Sequence, residues 1–252
     1  MCLEKLFGKK PDNEESGVTA AASTAETVTE SGTTTTEEPI LPELVSNIKI
    51  LVDNGHGNDT AGKRSPWSSH KVKPELDFYE YKWAREIAVP VVNELRALGY
   101  DAEILVPEES DIPLKERVAR VNEACDRLGA KNVLLVSIHA NAYGNGKKWE
   151  DAKGWEAYST PGVTKSDAFA ECFYTEAEKN FKGRKIRKDM SDGDSDKEAN
   201  FYIIRYSNCP AVLTENFFYT NVDDTKYILS EEGRAAVVKT HVDGIINYIN
   251  SL

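Results

Sequence analysis

Residues 133–138 read Val-Leu-Leu-Val-Ser-Ile, and a second apolar run, Ile-Lys-Ile-Leu-Val, occupies residues 48–52. Near-continuous runs of β-branched residues and leucine are typical of strands that are buried on both faces of a parallel sheet. A histidine follows each run, His56 in Asp-Asn-Gly-His-Gly and His139 in Ser-Ile-His-Ala-Asn-Ala. Open α/β sheets bind ligands beyond the carboxyl ends of their strands, so the two imidazoles are expected to converge there. The other two histidines, His70 in a polar loop and His241 in the last predicted helix, are interpreted as structural or surface residues.

Glu80 is the candidate for a third ligand, because a catalytic zinc site needs three protein ligands and one open position. The spacing predicts a helix over residues 78–98, in which Glu80 shares a face with Trp83, Ile87, Val91, Leu95 and Leu98. A charge on an apolar face must be paired. The alternative is a carboxylate at a helix N-terminus, which the helix dipole favours. The other charged side chains of this helix, Arg85 among them, are expected to be solvated.

A second carboxylate follows another short apolar strand. Residues 209–218 read Cys-Pro-Ala-Val-Leu-Thr-Glu-Asn-Phe-Phe, which places Glu215 among hydrophobic neighbours. Such surroundings raise the pKa of a carboxyl group, and a general base or acid is tuned in this way. The alternative is a solvated carboxylate at the end of a strand.

Together, these four residues and their surroundings resemble the zinc-dependent N-acetylmuramoyl-L-alanine amidases of the amidase-3 type. The resemblance spans residues 48–252, and its four elements occur in the same order as in the family. It implies hydrolysis of the amide between the lactyl group of N-acetylmuramic acid and the L-alanine of the peptidoglycan stem peptide. It also implies that His56, Glu80 and His139 bind Zn²⁺ and that Glu215 is the catalytic carboxylate.

The chain departs from the family pattern at two places. The family usually has Asp-Pro-Gly-His-Gly-Gly around the first ligand, whereas this chain has Asn54 before Gly55 and Asn58 after Gly57. The catalytic glutamate of the family is often followed by Gly-Phe-Leu-Ser-Asn, whereas residues 216–221 read Asn-Phe-Phe-Tyr-Thr-Asn. Neither change removes a group that the chemistry requires, so these differences concern the substrate.

The residues also suggest a mechanism. Two neutral imidazoles and one carboxylate leave a net positive charge on zinc, which lowers the pKa of a bound water toward ~7 and polarises an amide carbonyl. Glu215 is then expected to take the proton of the water and to return it to the departing nitrogen.

Several nearby residues are candidates for supporting roles. Asp53 and Asn141 either orient an imidazole or lie in turns. Lys63, Arg64 and Trp67 follow the first histidine and offer cations and a ring to the substrate, as Asn141 also does, or they belong to an ordinary surface loop.

Residues 183–200 are basic and then acidic, and they are predicted to form a mobile flap. The aspartates of this segment imitate a helix-loop-helix calcium loop. However, Lys197 stands where that loop needs glycine and Ile203 where it needs glutamate, so this interpretation is rejected.

The order of the predicted elements indicates an α/β fold. Strands and helices alternate along the chain, which predicts a three-layer sandwich with a mostly parallel central sheet and helices on both faces. The helices after the first are predicted near residues 114–128, 165–180 and 232–249, and further strands near residues 102–106 and 155–159. The apolar face of the helix near residues 114–128 is predicted to contain Leu114, Val118, Val121, Cys125 and Leu128.

Composition divides the chain of 252 residues into two parts. Residues 1–45 are rich in Thr, Glu and Ala, with nine acidic and three basic residues, and are predicted to be disordered. Residues 46–252 are predicted to form one zinc amidase domain, which we expect to be a monomer. The whole chain has a net charge of −11, so about −5 remains for this domain, which argues against nucleic acid as a partner. The four cysteines have no paired spacing and indicate no disulfide scaffold.

The expected place of action is the bacterial cell wall or periplasm, with peptidoglycan as the partner. Residues 1–10 contain no apolar core of a signal peptide, and no stretch predicts a stable membrane span. Three roles are open: a phage endolysin, a cytoplasmic recycling enzyme, or an exported autolysin whose leader is missing.

Two other functions compete with this prediction. Another zinc amide hydrolase, either a peptidase or a sugar deacetylase, would use similar ligands, although the chain has no contiguous His-Glu-x-x-His. A wall-binding module without catalysis is the other alternative, and the four retained residues argue against it.

Overall fold

The computed structural model describes residues 44–66, 73–191 and 193–252, so Trp67, His70 and residues 1–43 of the predicted disordered segment lie outside the described residues. Six strands form one sheet in the order β2-β1-β3-β6-β4-β5. Their bounds are β1 (Lys49–Asn54), β2 (Asp101–Ile104), β3 (Val133–Asn141), β4 (Glu156–Ser159), β5 (Lys197–Glu198) and β6 (Ala211–Phe218).

The sheet is mostly parallel, as predicted. Strand β1 pairs in parallel with β2 and with β3, and β3 pairs in parallel with β6. Only the β4–β6 pairing is antiparallel, and β5 then pairs in parallel with β4. The carboxyl ends of β1, β3 and β6 therefore meet at one edge.

In the part of the chain that the structure describes, six helices accompany the strands, and their bounds are α1 (Glu80–Ala97), α2 (Leu114–Leu128), α3 (Lys165–Asn180), α4 (Tyr202–Arg205), α5 (Val222–Leu229) and α6 (Glu231–Asn250). Short 3-10 helices span Pro74–Leu76 and Ala130–Asn132. No helix among the described residues has the length and hydropathy that a membrane span requires.

Strand β3 separates two hydrophobic cores. Its residues Leu134, Val136 and Ile138 point into the core that contains α1, α3 and α6, whereas Val133 and Leu135 point into the core that contains α2 and α4. This alternation explains why the whole run is apolar, since both faces of the strand are covered. The predicted three-layer α/β fold is confirmed.

Several details differ from the predictions. Leu98, Leu114 and Leu128 were expected on buried helix faces, but all three are exposed because they lie at helix ends, beyond the sheet. The helix α5 was not predicted at all. Its signal is present in the sequence, because Asn221 caps it by accepting hydrogen bonds from the backbone N–H groups of Asp223 and Asp224.

The predicted flap over residues 183–200 has pairings of its own. Strand β5 lies within it, and Ile186 forms an isolated bridge with Trp155. The proposed mobility of this segment stays a prediction.

Candidate active site

Three predicted residues come together at the carboxyl edge of the sheet. His56 follows β1, His139 lies on β3, and Glu80 is the first residue of α1. Oε1 of Glu80 lies 3.0 Å from Nδ1 of His139 and 3.3 Å from Nε2 of His56. One donor atom from each residue lies within 4.8 Å of the other two, so the group could hold a metal ion.

Glu80 is held by backbone groups as well as by the imidazoles. Its own N–H donates to the carbonyl of Lys63 (2.9 Å), and Oε1 accepts a hydrogen bond from the N–H of Ala140 (3.2 Å). The residue is 1% exposed. Burial raises the pKa of its carboxyl group, but the two imidazoles outweigh burial and lower it to about 2. Glu80 thus lies at the N-terminus of α1, as the alternative interpretation expected, but it is buried and in contact with two imidazoles.

Gly55 allows the loop after β1 to approach His139. A Cβ atom at this position would lie 2.2 Å from Cε1 of the imidazole, far closer than any van der Waals contact. Since the Gly55 backbone does not need a positive φ, the absence of a side chain is what the site requires here.

His56 adopts a left-handed backbone conformation with φ of 63°. Its carbonyl accepts hydrogen bonds from both terminal nitrogens of Arg85 (3.2 Å each) and from Nη2 of Arg117 (3.3 Å). These two guanidinium groups fix a backbone that is unfavourable for most residues. The expectation that Arg85 is solvated was therefore wrong, since it is half-buried and anchors this loop.

Arg117 was missed by the sequence analysis. It is 1% exposed, and its Nη1 donates to Oδ1 of Asp53 (2.6 Å) while Nη2 donates to Oδ1 of Asp111 (2.9 Å). A usable signal existed, because Arg117 lies three residues after Leu114 and four before Val121 on the apolar face of α2.

Among the described residues, neither Asp53 nor Asn141 has a hydrogen bond to an imidazole, and both lie on strands and not in turns. Asp53 accepts hydrogen bonds from Arg117 and from Oγ of Ser137 (2.5 Å) and contacts neither imidazole. Asn141 donates to Oε1 of Glu156 (2.6 Å). Asp53 is linked to the loop of His56 through Arg117, and Asn141 lines the central cavity itself.

Glu215 lies on β6, opposite His139 on β3 and opposite Glu156 on β4. Burial raises the pKa of Glu215 to about 8, with Glu80 and Glu156 adding to the shift and His139 and Lys63 opposing it. Oε2 of Glu215 has no hydrogen-bond partner among the described residues. The predicted rise in the pKa of this carboxyl group is confirmed in direction.

Glu156, which lies opposite Glu215 on the neighbouring strand, is a carboxylate with several hydrogen-bond and ion-pair partners. It is buried, and it accepts hydrogen bonds from Asn141, from the hydroxyl of Tyr158 (2.9 Å) and from Nε of Arg187 (2.6 Å). Nζ of Lys197 lies 3.4 Å from its Oε2. Glu156 is thus neutralised by cations, whereas its neighbour Glu215 is not.

A bulge follows Glu215 at the point where the sequence departs from the family pattern. The register shifts between His139 and Asn141, and Phe217 has a φ of 68°. Nδ2 of Asn216 donates to the carbonyl of His139 (2.9 Å), and Oδ1 of Asn216 accepts from Nε1 of Trp155 (2.9 Å). Asn216, a residue at which the chain departs from the family pattern, therefore supports the backbone of His139.

A central cavity of about 290 Å³ contains the candidate residues. Its polar lining includes His56, Glu80, His139, Glu215, Lys63 and Asn141, and its apolar lining includes Leu114, Phe201, Tyr202, Ile203, Leu213 and Tyr219. Arg64 lines a neighbouring cavity of about 380 Å³, to which Lys63 also contributes. Trp67 lies outside the described residues.

A larger and more open cavity, of about 930 Å³, lies elsewhere on the molecule. Six of its lining residues are basic: Lys153, Lys179, Lys182, Arg184, Lys185 and Lys226. It contains none of the candidate catalytic residues, so we place the chemistry in the smaller central cavity.

The chain is similar to several known proteins. The endolysin of Bacillus phage SPP1 is 25% identical over 206 residues, covering 80% of this chain and 66% of the phage protein. The N-acetylmuramoyl-L-alanine amidase AmiC of Neisseria meningitidis is 27% identical over 239 residues, covering 80% of this chain and 53% of AmiC. The chain thus spans between about half and two thirds of the length of these curated relatives.

A solved structure supports the same relationship. The crystal structure of N-acetylmuramoyl-L-alanine amidase from Clostridium difficile 630 matches with a TM-score of 0.66 and 27% identity, covering 82% of this chain and 99% of that one. The family model Amidase_3, described as N-acetylmuramoyl-L-alanine amidase, matches residues 50–247. Because this match covers most of the chain, the protein belongs to the N-acetylmuramoyl-L-alanine amidase family of amide hydrolases.

Proposed function

We propose that this protein hydrolyses the amide between N-acetylmuramic acid and L-alanine in peptidoglycan, with zinc bound by His56, Glu80 and His139. In this proposal Glu215 carries the proton. The observation that carries it is one cavity that joins a group able to hold a metal ion to a carboxyl group with a pKa of about 8.

The donor set fits zinc. Two imidazole nitrogens and one carboxylate oxygen are ligands that zinc accepts in four-coordinate sites. Nε2 of His56 and Oε2 of Glu80 have no hydrogen-bond partner among the described residues, although both atoms are buried. Buried polar atoms without partners are costly, and metal coordination would remove that cost. Three protein ligands leave one position open for water or substrate.

When bound, zinc would supply Lewis acidity, which lowers the pKa of water and polarises an amide carbonyl. Glu215 would act as the base that takes the proton of the attacking water. It would then return that proton to the departing alanine nitrogen, because an amide anion is too poor a leaving group. A carboxyl group whose pKa lies near neutrality can do both.

The walls of the central cavity suggest how the substrate is held. Leu114, Phe201 and Tyr202 form an apolar wall, which suits the face of a sugar ring. Lys63 and Asn141 lie on its polar side. We propose that Lys63 and Arg64 contact carboxylates of the stem peptide, with Asn141 beside them and with Trp67 as a further candidate.

The domain division also remains a proposal. Residues 46–252 would form the catalytic domain, acting as a monomer on the bacterial cell wall, and residues 1–45 a disordered acidic segment. The described part of the proposed domain contains the whole match to the family model except residues 67–72 and Asp192.

Digestion of purified peptidoglycan sacculi tests the proposed function. An amidase releases stem peptides with a free L-alanine amine and leaves lactyl carboxylates on the glycan, and mass spectrometry identifies both products. A peptidase would leave L-alanine attached to the glycan, and a deacetylase would release acetate. Either result would replace the proposal, and binding without any released product would indicate a wall-binding module.

A further inference from the structure

Two aspartates in the segment before β5, buried Asp196 and half-buried Asp194, form a carboxylate pair that the amidase chemistry does not use. Asp194 and Asp196 precede the two-residue strand β5, which pairs with the end of β4 at Tyr158 and Ser159. The segment is fixed on both sides of the pair. The carbonyl of Ser195 accepts from the N–H of Asp189 (3.1 Å), and the N–H of Ala199 donates to the carbonyl of Ser159 (3.0 Å).

Asp196 is the more deeply buried of the two aspartates. It is 2% exposed, and no N–H group or cation among the described residues pairs with either of its carboxylate oxygens. Oδ1 of Asp194 is also buried and without a partner there. Three buried carboxylate oxygens that face no N–H group and no cation are exceptional in a folded protein.

The carboxylates around Asp196 add negative charge and therefore disfavour its ionised form. Burial is the main cause that raises the pKa of Asp196, to about 7, and the carboxylates of Asp194 and Asp167 raise it further. The side chain of Glu171 is close by, since its Oε1 accepts a hydrogen bond from the N–H of Ser195.

The nearest cations in the sequence are engaged elsewhere. Nε of Arg187 donates to Glu156, and Nζ of Lys197 also contacts the carboxylate of Glu156. The positive charge that this pair lacks is therefore not supplied by the basic residues beside it in the chain.

We propose that Asp194 and Asp196 bind a hard divalent cation, best matched by Ca²⁺, at the junction of β4, β5 and α3. Calcium takes six to eight oxygen ligands and accepts water among them. The two carboxylates would provide the charged ligands. The hydroxyl of Ser159 supplies a neutral oxygen beside Asp196, and it lowers the pKa of that carboxyl group.

This site differs from both cation sites considered above. It is not a helix-loop-helix calcium loop, because Lys197 and Ile203 occupy the positions that such a loop needs for glycine and glutamate. It also differs from the group of His56, Glu80 and His139, whose nitrogen donors suit zinc. Because all the proposed ligands of this site are oxygen atoms, calcium is the ion that probes it selectively over the site of His56, Glu80 and His139.

A bound cation would connect the flap to the central cavity. Strand β5 is followed within three residues by Phe201, which makes an edge-to-face contact with Tyr158 of β4, with 5.1 Å between ring centroids, and lines the cavity. Neutralising the aspartates would hold β5 against β4 and would thereby hold the apolar wall of the cavity in place.

Calcium titration of the full-length, zinc-loaded protein tests the proposal. Calcium chloride at millimolar concentration is expected to raise the Tm by on the order of 5 °C, as mass action predicts for a ligand that binds only the folded state. Titration calorimetry should give one calcium ion per chain. In Asp196→Asn and Asp194→Asn the calcium affinity should fall at least tenfold.

A control and a second variant keep the test decisive. Glu178 is an exposed carboxylate on α3, and Glu178→Gln removes its negative charge. This variant should leave the calcium response unchanged. His139→Ala should lose zinc but retain the calcium response, because its ring lies in the other site. If Asp196→Asn does not fold, Asp194→Asn alone decides.

Three results would overturn the proposal. In the first, wild-type protein shows no Tm shift and no heat of binding with calcium. In the second, both aspartate variants keep the wild-type calcium affinity, so that the ion binds elsewhere. In the third, Asp196→Asn raises the Tm in calcium-free buffer while calcium has no effect on the wild type, which would mean that the pair shares a proton instead of a cation.

Discussion

Glu215 lies opposite His139 where β6 pairs with β3, and opposite Glu156 where β6 pairs with β4. The candidate proton carrier therefore stands between a candidate metal ligand and a buried carboxylate that is already paired. Arg187 and Lys197 both form ion pairs with Glu156. Glu215 is left as the carboxyl group of this row whose proton can come and go near neutral pH.

Glu80→Gln should release the metal while preserving the fold. The amide keeps the size of the carboxyl group but removes the charge that draws both imidazoles together. We expect zinc affinity to fall by about tenfold or more, since a carboxylate ligand contributes charge as well as geometry. Competition with a chromogenic chelator measures this. Glu86→Gln, on the same helix, is the control, and equal zinc affinity in the two variants would contradict the assignment.

Gly55→Ala should displace His139. The new methyl group would lie 2.2 Å from Cε1 of the imidazole, so the ring or the loop has to move. Zinc affinity and stability are both expected to fall. Gly244→Ala is the matched control, because its Cβ would meet the ring of Phe173 at 3.0 Å, away from the site. That variant should lose stability but keep zinc, and a Gly55→Ala protein with normal zinc affinity would show that the close contact is not required.

Arg117→Met should destabilise the domain strongly. It removes the partner of buried Asp53 and one donor to the carbonyl of His56. Breaking a buried ion pair by removing one side typically costs about 3–5 kcal/mol. Arg120→Met is the control, because Arg120 pairs with partly exposed Glu108 and Glu116, and exposed pairs contribute about 1 kcal/mol or less. Urea unfolding of the zinc-loaded proteins compares the two, and similar losses would refute the structural role of Arg117.

His241 should make the domain sensitive to acid. Nδ1 donates to the carbonyl of Val237 (2.7 Å), so Nε2 accepts from the hydroxyl of Thr214 (2.9 Å) and the ring is neutral. Burial lowers the pKa of His241 to about 4. The unfolded chain therefore takes up this proton first, and stability that is present above about pH 6.5 is lost as the pH falls toward 4.

The size of this loss follows from the shift. A difference of roughly 2.5 pKa units corresponds to about 3 kcal/mol. The measurement is the free energy of unfolding between pH 7 and pH 4 for the wild type and for His241→Gln. The wild type should lose more, and parallel curves would show that His241 does not contribute to the acid sensitivity.

The sequence predicted the fold where long periodic patterns exist. The runs at residues 48–52 and 133–138 indicated central parallel strands, and the bounds of α2 and α3 agree with the predicted ones. Strand β5 and helix α4 were not predicted because two or four residues are too short to show a period. The errors at Leu98, Leu114 and Leu128 arose because a helical face continues in sequence beyond the sheet that buries it.

The sequence predicted those site residues whose location follows from their position at the end of a strand. His56 and His139 were expected at one edge because parallel strands end together, and the structure places them there. The role of Arg85 could not be predicted in this way, because its contact to His56 depends on a left-handed backbone. Likewise, the support that Asn216 gives to His139 depends on a register shift that no periodic pattern reveals.

The central claim is that Glu215 moves the proton while His56, Glu80 and His139 hold zinc, and Glu215→Gln tests it most directly. Glutamine keeps the shape of the side chain but cannot accept and return a proton near neutral pH. Turnover of purified sacculi and zinc content are measured on the same preparation. We predict full zinc occupancy with turnover reduced by about a hundredfold or more, the usual contribution of general acid and base catalysis. Loss of zinc, or near-normal release of stem peptides, would contradict the account.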